Sequence, residues 1–278
     1  MFFAILKNKK LLIGLIMTII IIILAIAANI IAPYQYDESN VGSKLQTPNL
    51  HYLFGTDHLG RDVFSRVVYG TRVSLVVALM VAFLALIIGI FLGVIAGYYS
   101  NSIADHFIMR SIDILYSIPW ILTGLVLAVL MKPGVNTVII ALTIVYIPTM
   151  TRVVRSSVLG VKELDFITAA RITGENNFSI ILRYIIPNSF GPIIIQFMFV
   201  MSYAVLGEAA LSYLGYGVKP PTPSWGLLLQ NSINYAWTSP YLFIFPGIVI
   251  IFSVLSFNFL GDGLRDIIDP RYRRTFLG

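Results

Sequence analysis

The chain has 278 residues, 58% of them hydrophobic and only 12% charged, with a formal net charge of +6 and a mean hydropathy of +0.86. So few charges cannot coat a water-soluble globule and so much apolar surface excludes disorder, which leaves an integral membrane protein. The absence of cysteine excludes disulfide frameworks, thiolate zinc sites and cysteine nucleophiles.

A helix of about 20 apolar residues crosses about 30 Å of hydrocarbon. Six runs meet that length, approximately 11–32, 73–99, 105–131, 136–158, 188–214 and 241–262. Lone strands cannot satisfy their backbone in lipid, so all six are read as helices. The first follows Lys7, Lys9 and Lys10, and Ala25-Ile26-Ala27 imitates a signal-peptide cleavage site. Its apolar run is too long for a signal peptide, and it reads as an uncleaved anchor.

Ahead of the second span, Val63, Phe64, Val67 and Val68 fall on one helical face and Arg61, Asp62, Ser65 and Arg66 on the other, with Asp62 and Arg66 at i,i+4. This pattern predicts a helix lying at the outer interface. It either anchors the second span or, through Arg61 and Arg66, offers a docking surface to a soluble protein. Within the second span Gly89, Gly93 and Gly97 recur at four-residue spacing, a stripe on which another helix can pack closely. Pro119, Pro148, Pro192 and Pro246 lie in or near later spans, and the backbone carbonyls they free must face protein or water. Kinked helices splayed around a cavity are the expectation, with the fourth span further interrupted by Thr149 and Thr151.

Glu208 is read as the carboxylate well inside a span, and an intramembrane ionisable group is a functional candidate by default. The other reading is an interhelical hydrogen bond to a polar neighbour such as Ser212. Ser117, Trp120, Gln196, Ser202 and Tyr203 are further candidates for a polar pathway. In KPPTPSW, Pro220, Pro221 and Pro223 fix φ and remove donors, so the segment is a stiff extracellular loop with Trp225 at headgroup level. It is either a connector or a rigid lid over the pathway formed by Pro221, Pro223 and Trp225. Arg265 and Asp269 at i,i+4, followed by Pro270, predict a capped end for the sixth span.

Orientation follows the basic residues. With a cytoplasmic N-terminus, the inner segments hold Lys7, Lys9, Lys10, Arg110, Arg152, Arg155, Lys162, Arg171, Arg183, Arg265, Arg271, Arg273 and Arg274. The outer segments hold Lys44, Arg61, Arg66, Arg72, Lys132 and Lys219. The bias places both termini in the cytoplasm. The pI near 9.5 comes from this clustering beside spans and not from a nucleic-acid-binding stripe.

Between the fourth and fifth spans lies a polar interruption at 163–187. Glu163 to Thr173 contains no Gly or Pro and predicts a helix, which Gly174 ends as a left-handed residue. Asn177 is placed to cap a second short helix, which Pro187 would stop before the fifth span. The small Ala169 and Ala170 let a partner approach the backbone, and Asp165, Thr168 and Arg171 supply polar edges. On residue chemistry alone this elbow is either a docking handle or an amphipathic helix resting on lipid.

TAARITG, nine residues and then YIIP resembles the cytoplasmic coupling motif of ABC-importer permeases, whose usual form is EAA, three residues, G, nine residues and I-x-L-P. Ala169, Ala170, Gly174 and Pro187 match, whereas Thr168, Tyr184 and Ile186 replace the Glu, Ile and Leu. FGTDHLGRDVFSRVVYGTRVSL at 54–75, MRSID at 109–113, EAALSYLG at 208–215, LGYGVKPPTPSWG at 214–226 and NFLGDGLRDIIDPR at 258–271 resemble signatures of the C-type permease of the dipeptide, oligopeptide and nickel importers. The resemblance implies an all-α, six-span type I importer permease in a bacterial inner membrane. Its expected parts are an anchor helix and the start of the first extracellular loop at 1–50, an interfacial extracellular segment at 51–72, a transmembrane core at 73–262 and a cytoplasmic tail at 263–278.

The resemblance also implies partners: a second homologous permease, two ATPase subunits that bind ATP and Mg, and an extracellular solute-binding protein. No phosphate-binding G-x-x-x-x-G-K-[ST] occurs, so no cofactor is expected in this chain and no hydrolysis by it. Neither H-E-x-x-H nor G-x-S-x-G is present, which argues against a membrane hydrolase. Short peptides are the expected cargo, with nickel, metal chelates or glutathione-like solutes as alternatives. A proton-coupled secondary transporter built on Glu208 is the rival from another class, though no internal repeat supports it.

Overall fold

Asn8 accepts a hydrogen bond from the Leu11 N–H at 3.1 Å and opens α1, Lys9–Ile26, which a short α2, Ala28–Ile31, follows. The computed structural model describes residues 8–268, so Lys7, Arg271, Arg273, Arg274 and the Asp269 and Pro270 expected to cap the sixth span lie outside the described residues. Five helices in this range are long and apolar enough to cross a membrane, with a sixth crossing if one bent pair counts as a single span.

The second span begins earlier than the sequence predicts. Asp62 accepts the Ser65 N–H at 2.7 Å and the Ser65 hydroxyl at 2.6 Å, and α3 then runs unbroken through Val63–Tyr98. Its 36 residues rise about 54 Å, well beyond the hydrocarbon thickness, so the expected interfacial helix is instead the first turns of α3. Asp62 is spent on this cap and does not pair with Arg66. The polar residues of those turns face a folded loop and not water.

The run expected to form the third span is broken. Pro119 offers no N–H, and the residue before a proline is driven out of the α region, which Ile118 shows with φ −88° and ψ 130°. The chain therefore leaves α4, Ile103–Ser117, and enters α5, Trp120–Leu130, at 90°. By contrast α6, Val135–Lys162, passes Pro148 without ending.

After α6 come the short α7, Asp165–Ile172, and α8, Asn177–Ile180. A π turn, Ile181–Ile185, leads directly into α9, Ile186–Tyr213. Pro187 does not stop the helix: it sits in the first turn of α9, and the wider π turn before it accommodates a residue with no N–H to give. A buried α10, Trp225–Ser232, precedes the last span α11, Tyr241–Ile268.

The core forms where α3 and α6 lie together, their contact being the most extensive between any two helices described, with α9 packed against both. Gly93 and Gly97 make that approach possible. A Cβ on Gly93 would stand 2.6 Å from Val154 Cβ and 2.8 Å from the Thr151 carbonyl oxygen, and one on Gly97 would stand 2.8 Å from Val158 Cβ. Gly89 is equally tight against Met150. Small residues let backbones meet where lipid supplies no hydrophobic drive between helices. Gly93→Leu should lower the unfolding free energy of the purified protein in detergent by about 1–3 kcal/mol, because the side chain has no rotamer clear of α6. Gly160→Ala, where a Cβ meets nothing within 4 Å, should leave the thermal midpoint unchanged or slightly raised.

Candidate functional site

α7 turns part of its apolar surface inward and its polar residues outward, with Phe166 and Ile172 exposed among them. Ile167 and Ala170 are buried, while Asp165, Thr168, Ala169 and Arg171 are exposed. The helix ends in a paired cap: the Gly174 N–H donates to the Arg171 carbonyl at 3.1 Å and the Glu175 N–H to the Ala170 carbonyl at 3.1 Å. That closure needs a left-handed residue, and Gly174 has φ +84°.

The cap of the next helix falls one residue before the expected one. Asn176 accepts the Ser179 N–H at 2.8 Å, and the side chain of Asn177 instead accepts the Tyr98 hydroxyl at 2.7 Å, tying the elbow to the end of α3. The Arg171 guanidinium lies 5.6 Å from the Tyr98 ring centroid, within cation–π range. Glu175 accepts the Tyr184 hydroxyl at 2.7 Å and the Ser179 hydroxyl at 2.9 Å, and these bonds hold its carboxyl below the usual carboxylate range.

A cleft of about 530 Å³ opens beside this turn, lined by Gly174, Glu175, Phe178 and Arg183 among others. Ile172 is 81% exposed and Phe178 72%, two large apolar side chains flanking the glycine. The sequence alone does not single out Ile172, although its position beside the motif is visible there. Pro187 is exposed at the start of α9.

Glu208 is fully buried and is a hub of hydrogen bonds. One carboxylate oxygen accepts the Ser212 hydroxyl at 2.7 Å and the other the Ser74 hydroxyl of α3 at 2.9 Å. Ser212 in turn accepts the Val218 N–H at 3.1 Å, and Ser74 accepts the Trp225 N–H at 3.3 Å. The carboxylate thus ends two relays that fasten the proline-rich loop and α10 to α9 and α3. The Ser212 bond lies within α9, at i,i+4, so the expected interhelical hydrogen bond of Glu208 is the one to Ser74 and not the one to Ser212.

The other outer-face expectations are corrected. Trp225 is fully buried and donates its indole N–H to the Val67 carbonyl at 3.2 Å, so it is not at headgroup level. Pro223 is buried beside it and Pro221 is exposed. Arg61 bonds Asp57 at 2.7 Å, and Arg66 donates to the Tyr36 carbonyl at 2.9 Å with Asp57 at 3.9 Å from its Nε. With 8% and 1% of their surface exposed, neither arginine can present a docking surface.

The pathway candidates divide. Ser117, Trp120 and Tyr203 are exposed and Gln196 is half-buried, but Ser202 is fully buried with its hydroxyl 3.3 Å from the Val254 carbonyl. Tyr203 stacks on Tyr146, whose hydroxyl donates to the Tyr203 carbonyl at 3.0 Å. Ser202 and Glu208 are thus buried, whereas Ser117 and Tyr203 are exposed. Glu208 is also not the sole carboxylate within a span: Asp113 lies in the second half of α4, 2.7 Å from Arg152 of α6, and Arg152 sits 4.3 Å from the centroid of the Tyr116 ring. Nearer the start of α4, Asp105 takes two bonds from Arg155, both 2.8 Å. Among the described residues no three His, Asp or Glu side chains converge as a metal site requires.

Glycine-packed apolar spans joined by buried polar relays and a capped exposed elbow make this an all-α, multi-span membrane protein. The fold matches chains in two inward-facing structures of the MetNI methionine ABC transporter, each with a TM-score of 0.61 over 73% of this chain, covering 96% and 97% of those chains at 18% and 19% identity. Residues 89–274 match the family of binding-protein-dependent transport system inner membrane components, and residues 1–48 match the N-terminal TM domain of oligopeptide transport permease C. The chain belongs to this family of ABC-importer permeases. It is 41% identical to the dipeptide transport system permease protein DppC of Alkalihalophilus pseudofirmus, covering 96% of this chain and 88% of that one. The Escherichia coli DppC is 40% identical over 96% and 91%, and a putative peptide transport system permease protein of Brucella abortus is 39% identical over 96% and 90%.

Replacing Glu208 by Ala leaves two buried hydroxyl relays without an acceptor. It should cost about 1–3 kcal/mol in thermal or denaturant unfolding and speed proteolysis of the loop before α10, whereas Glu208→Gln, which keeps an acceptor oxygen, should lose less.

Proposed function

We propose that this chain forms half of the membrane pathway of an ATP-driven importer of short peptides and receives the motion of an ATPase through α7. The observation that carries this reading is the elbow. A short helix with small residues outward, ended by a left-handed glycine and flanked by exposed Ile172 and Phe178, is a contact surface for a soluble partner and poorly suited to burial in lipid. Relatives named for dipeptide transport at about 40% identity supply the cargo class. ATP and Mg belong to two partner ATPases, and no cofactor is assigned to this chain.

The remaining parts follow. A second homologous permease completes the pathway, and both termini lie in the cytoplasm by the bias of the basic residues. The solute-binding protein docks on the face opposite α7, where Pro221 and the 99% exposed Trp237 stand clear of the body. Thr168 occupies the position of the usual glutamate, so the ATPase contact rests on packing against Ala169 and on Arg171. Closure of the ATPases on ATP pushes or rotates α7 and, through the Tyr98–Asn177 bond, moves α3 and α6.

Purification should bring down two ATPase subunits, and proteoliposomes holding the complex and its binding protein should take up a dipeptide with ATP and stop on its depletion. Uptake driven by a pH gradient alone would overturn the reading. Gly174→Val should insert normally yet lose at least about tenfold in ATP-dependent uptake, because a β-branched residue resists φ +84°. Gly174→Asn, which tolerates left-handed φ, should keep most of it. A Cβ at this position meets nothing within 4 Å, so the difference reads backbone conformation and not a clash.

A further inference from the structure

One face of α4 is unsuited to lipid. His106, Arg110, Asp113 and Ser117 succeed one another at helical spacing on a single stripe, and all are exposed. Arg152 reaches that stripe from α6, pairing with Asp113 at 2.7 Å while lying over Tyr116. About 15 Å of helix separates Arg152 from the end of α6 at Lys162, and the packing of Gly89 on Met150 and of Gly93 on Val154 sets Arg152 level with Phe91 of α3. Elsewhere at such depth the surface is of the lipid kind, as with Phe83, Ile87 and Phe91 on α3. Charges within spans face protein or a water-filled cavity.

The pair is also open. The Asp113 side chain is 51% exposed and that of Arg152 39%, so each charge has free hydrogen-bonding capacity. We propose that the stripe lines the water-filled pathway and that Asp113 and Arg152 form a charge-reading site, Asp113 taking the cationic and Arg152 the anionic side chains of a short peptide as it passes. This rests on the peptide-importer reading above.

A carboxylate suits an ammonium, and the planar guanidinium fork suits a carboxylate. Both contacts compete with water and with the pair itself, so they are weak and reversible, as passage requires. Ser117 lies further along the same stripe, and the exposed Trp120 follows it across the corner where α4 turns into α5. That places the site just below the break in the third span.

The test uses the complete importer in proteoliposomes, and its first arm is wild-type dipeptide uptake. Failure there removes the peptide reading itself. The native chain has no cysteine, so single substitutions report water access directly. A charged, membrane-impermeant methanethiosulfonate reagent should modify Ser117→Cys and leave Phe91→Cys untouched, read by the mass of this subunit. An unmodified Ser117→Cys means that the stripe is covered by protein or lipid, and overturns the proposal.

The second arm compares turnover of alanyl-lysine with that of alanyl-glutamate. Arg152→Gln leaves Asp113 alone and should raise the lysine-to-glutamate ratio about threefold, and Asp113→Asn should lower it by a similar factor, the scale of a solvent-exposed charge pair. Equal slowing of both peptides in both variants would show a pair that only braces α4 against α6, and would likewise overturn the site.

Discussion

The contact of α3 with α6 through Gly89, Gly93 and Gly97 is the constraint on which the rest of the molecule depends. Helices in lipid gain nothing from hiding apolar surface from one another, so they associate through close packing and hydrogen bonds. Three glycines facing Met150, Val154 and Val158 bring the two backbones together and fix where α6 ends. The elbow is then fastened to that pair: Lys162 bonds Ser100, Tyr98 bonds Asn177, and Arg171 lies near the Tyr98 ring. A force on α7 therefore acts on the central helix pair, and α4, held to α6 by Asp105–Arg155 and Asp113–Arg152, must follow.

On the opposite face Glu208 does comparable work by different means. A loop containing three prolines has few donors with which to anchor itself, yet it must lie still above the spans. Two serine relays ending on one buried carboxylate supply that anchorage, and the Trp225 indole adds a third attachment at Val67. A carboxylate occupied by two hydroxyls and closed off from solvent is poorly placed to exchange protons with a pathway. The relay geometry thus weighs against the secondary-transporter alternative, which needs an accessible titrating group.

The spans, the glycine stripe and the left-handed turn at Gly174 were legible because each depends on local sequence: run length, four-residue spacing, and a glycine where a helix must stop. The start of α3 was not. An apolar face at helical spacing looks the same whether its polar side meets water or a folded loop, and Asp57, which takes Arg61 and stands near Arg66, is part of that loop's tertiary structure. Trp225 was misplaced for the same reason, since its partner, the Val67 carbonyl, is remote in sequence. Asp113 and Arg152 stood in plain view within predicted spans, but each read as an ordinary flanking charge. Their pairing across 39 positions is a product of the fold.

The elbow is stiff, and that stiffness says where the protein can bend. A paired cap, a capped second helix and the Glu175 bonds to Ser179 and Tyr184 leave little slack between α7 and α9. A lever that does not flex passes displacement onward to the next weak joint. The 90° corner at Ile118-Pro119 is such a joint, because no backbone hydrogen bond crosses it in the α-helical pattern and both flanking helices are partly exposed. The charged pair of α4 and α6 stands directly beneath that corner. Rotation of α7 that tilts α6 would alter the approach of Arg152 to Asp113 and the angle at Pro119 together, so the charged pair and the corner are mechanically coupled.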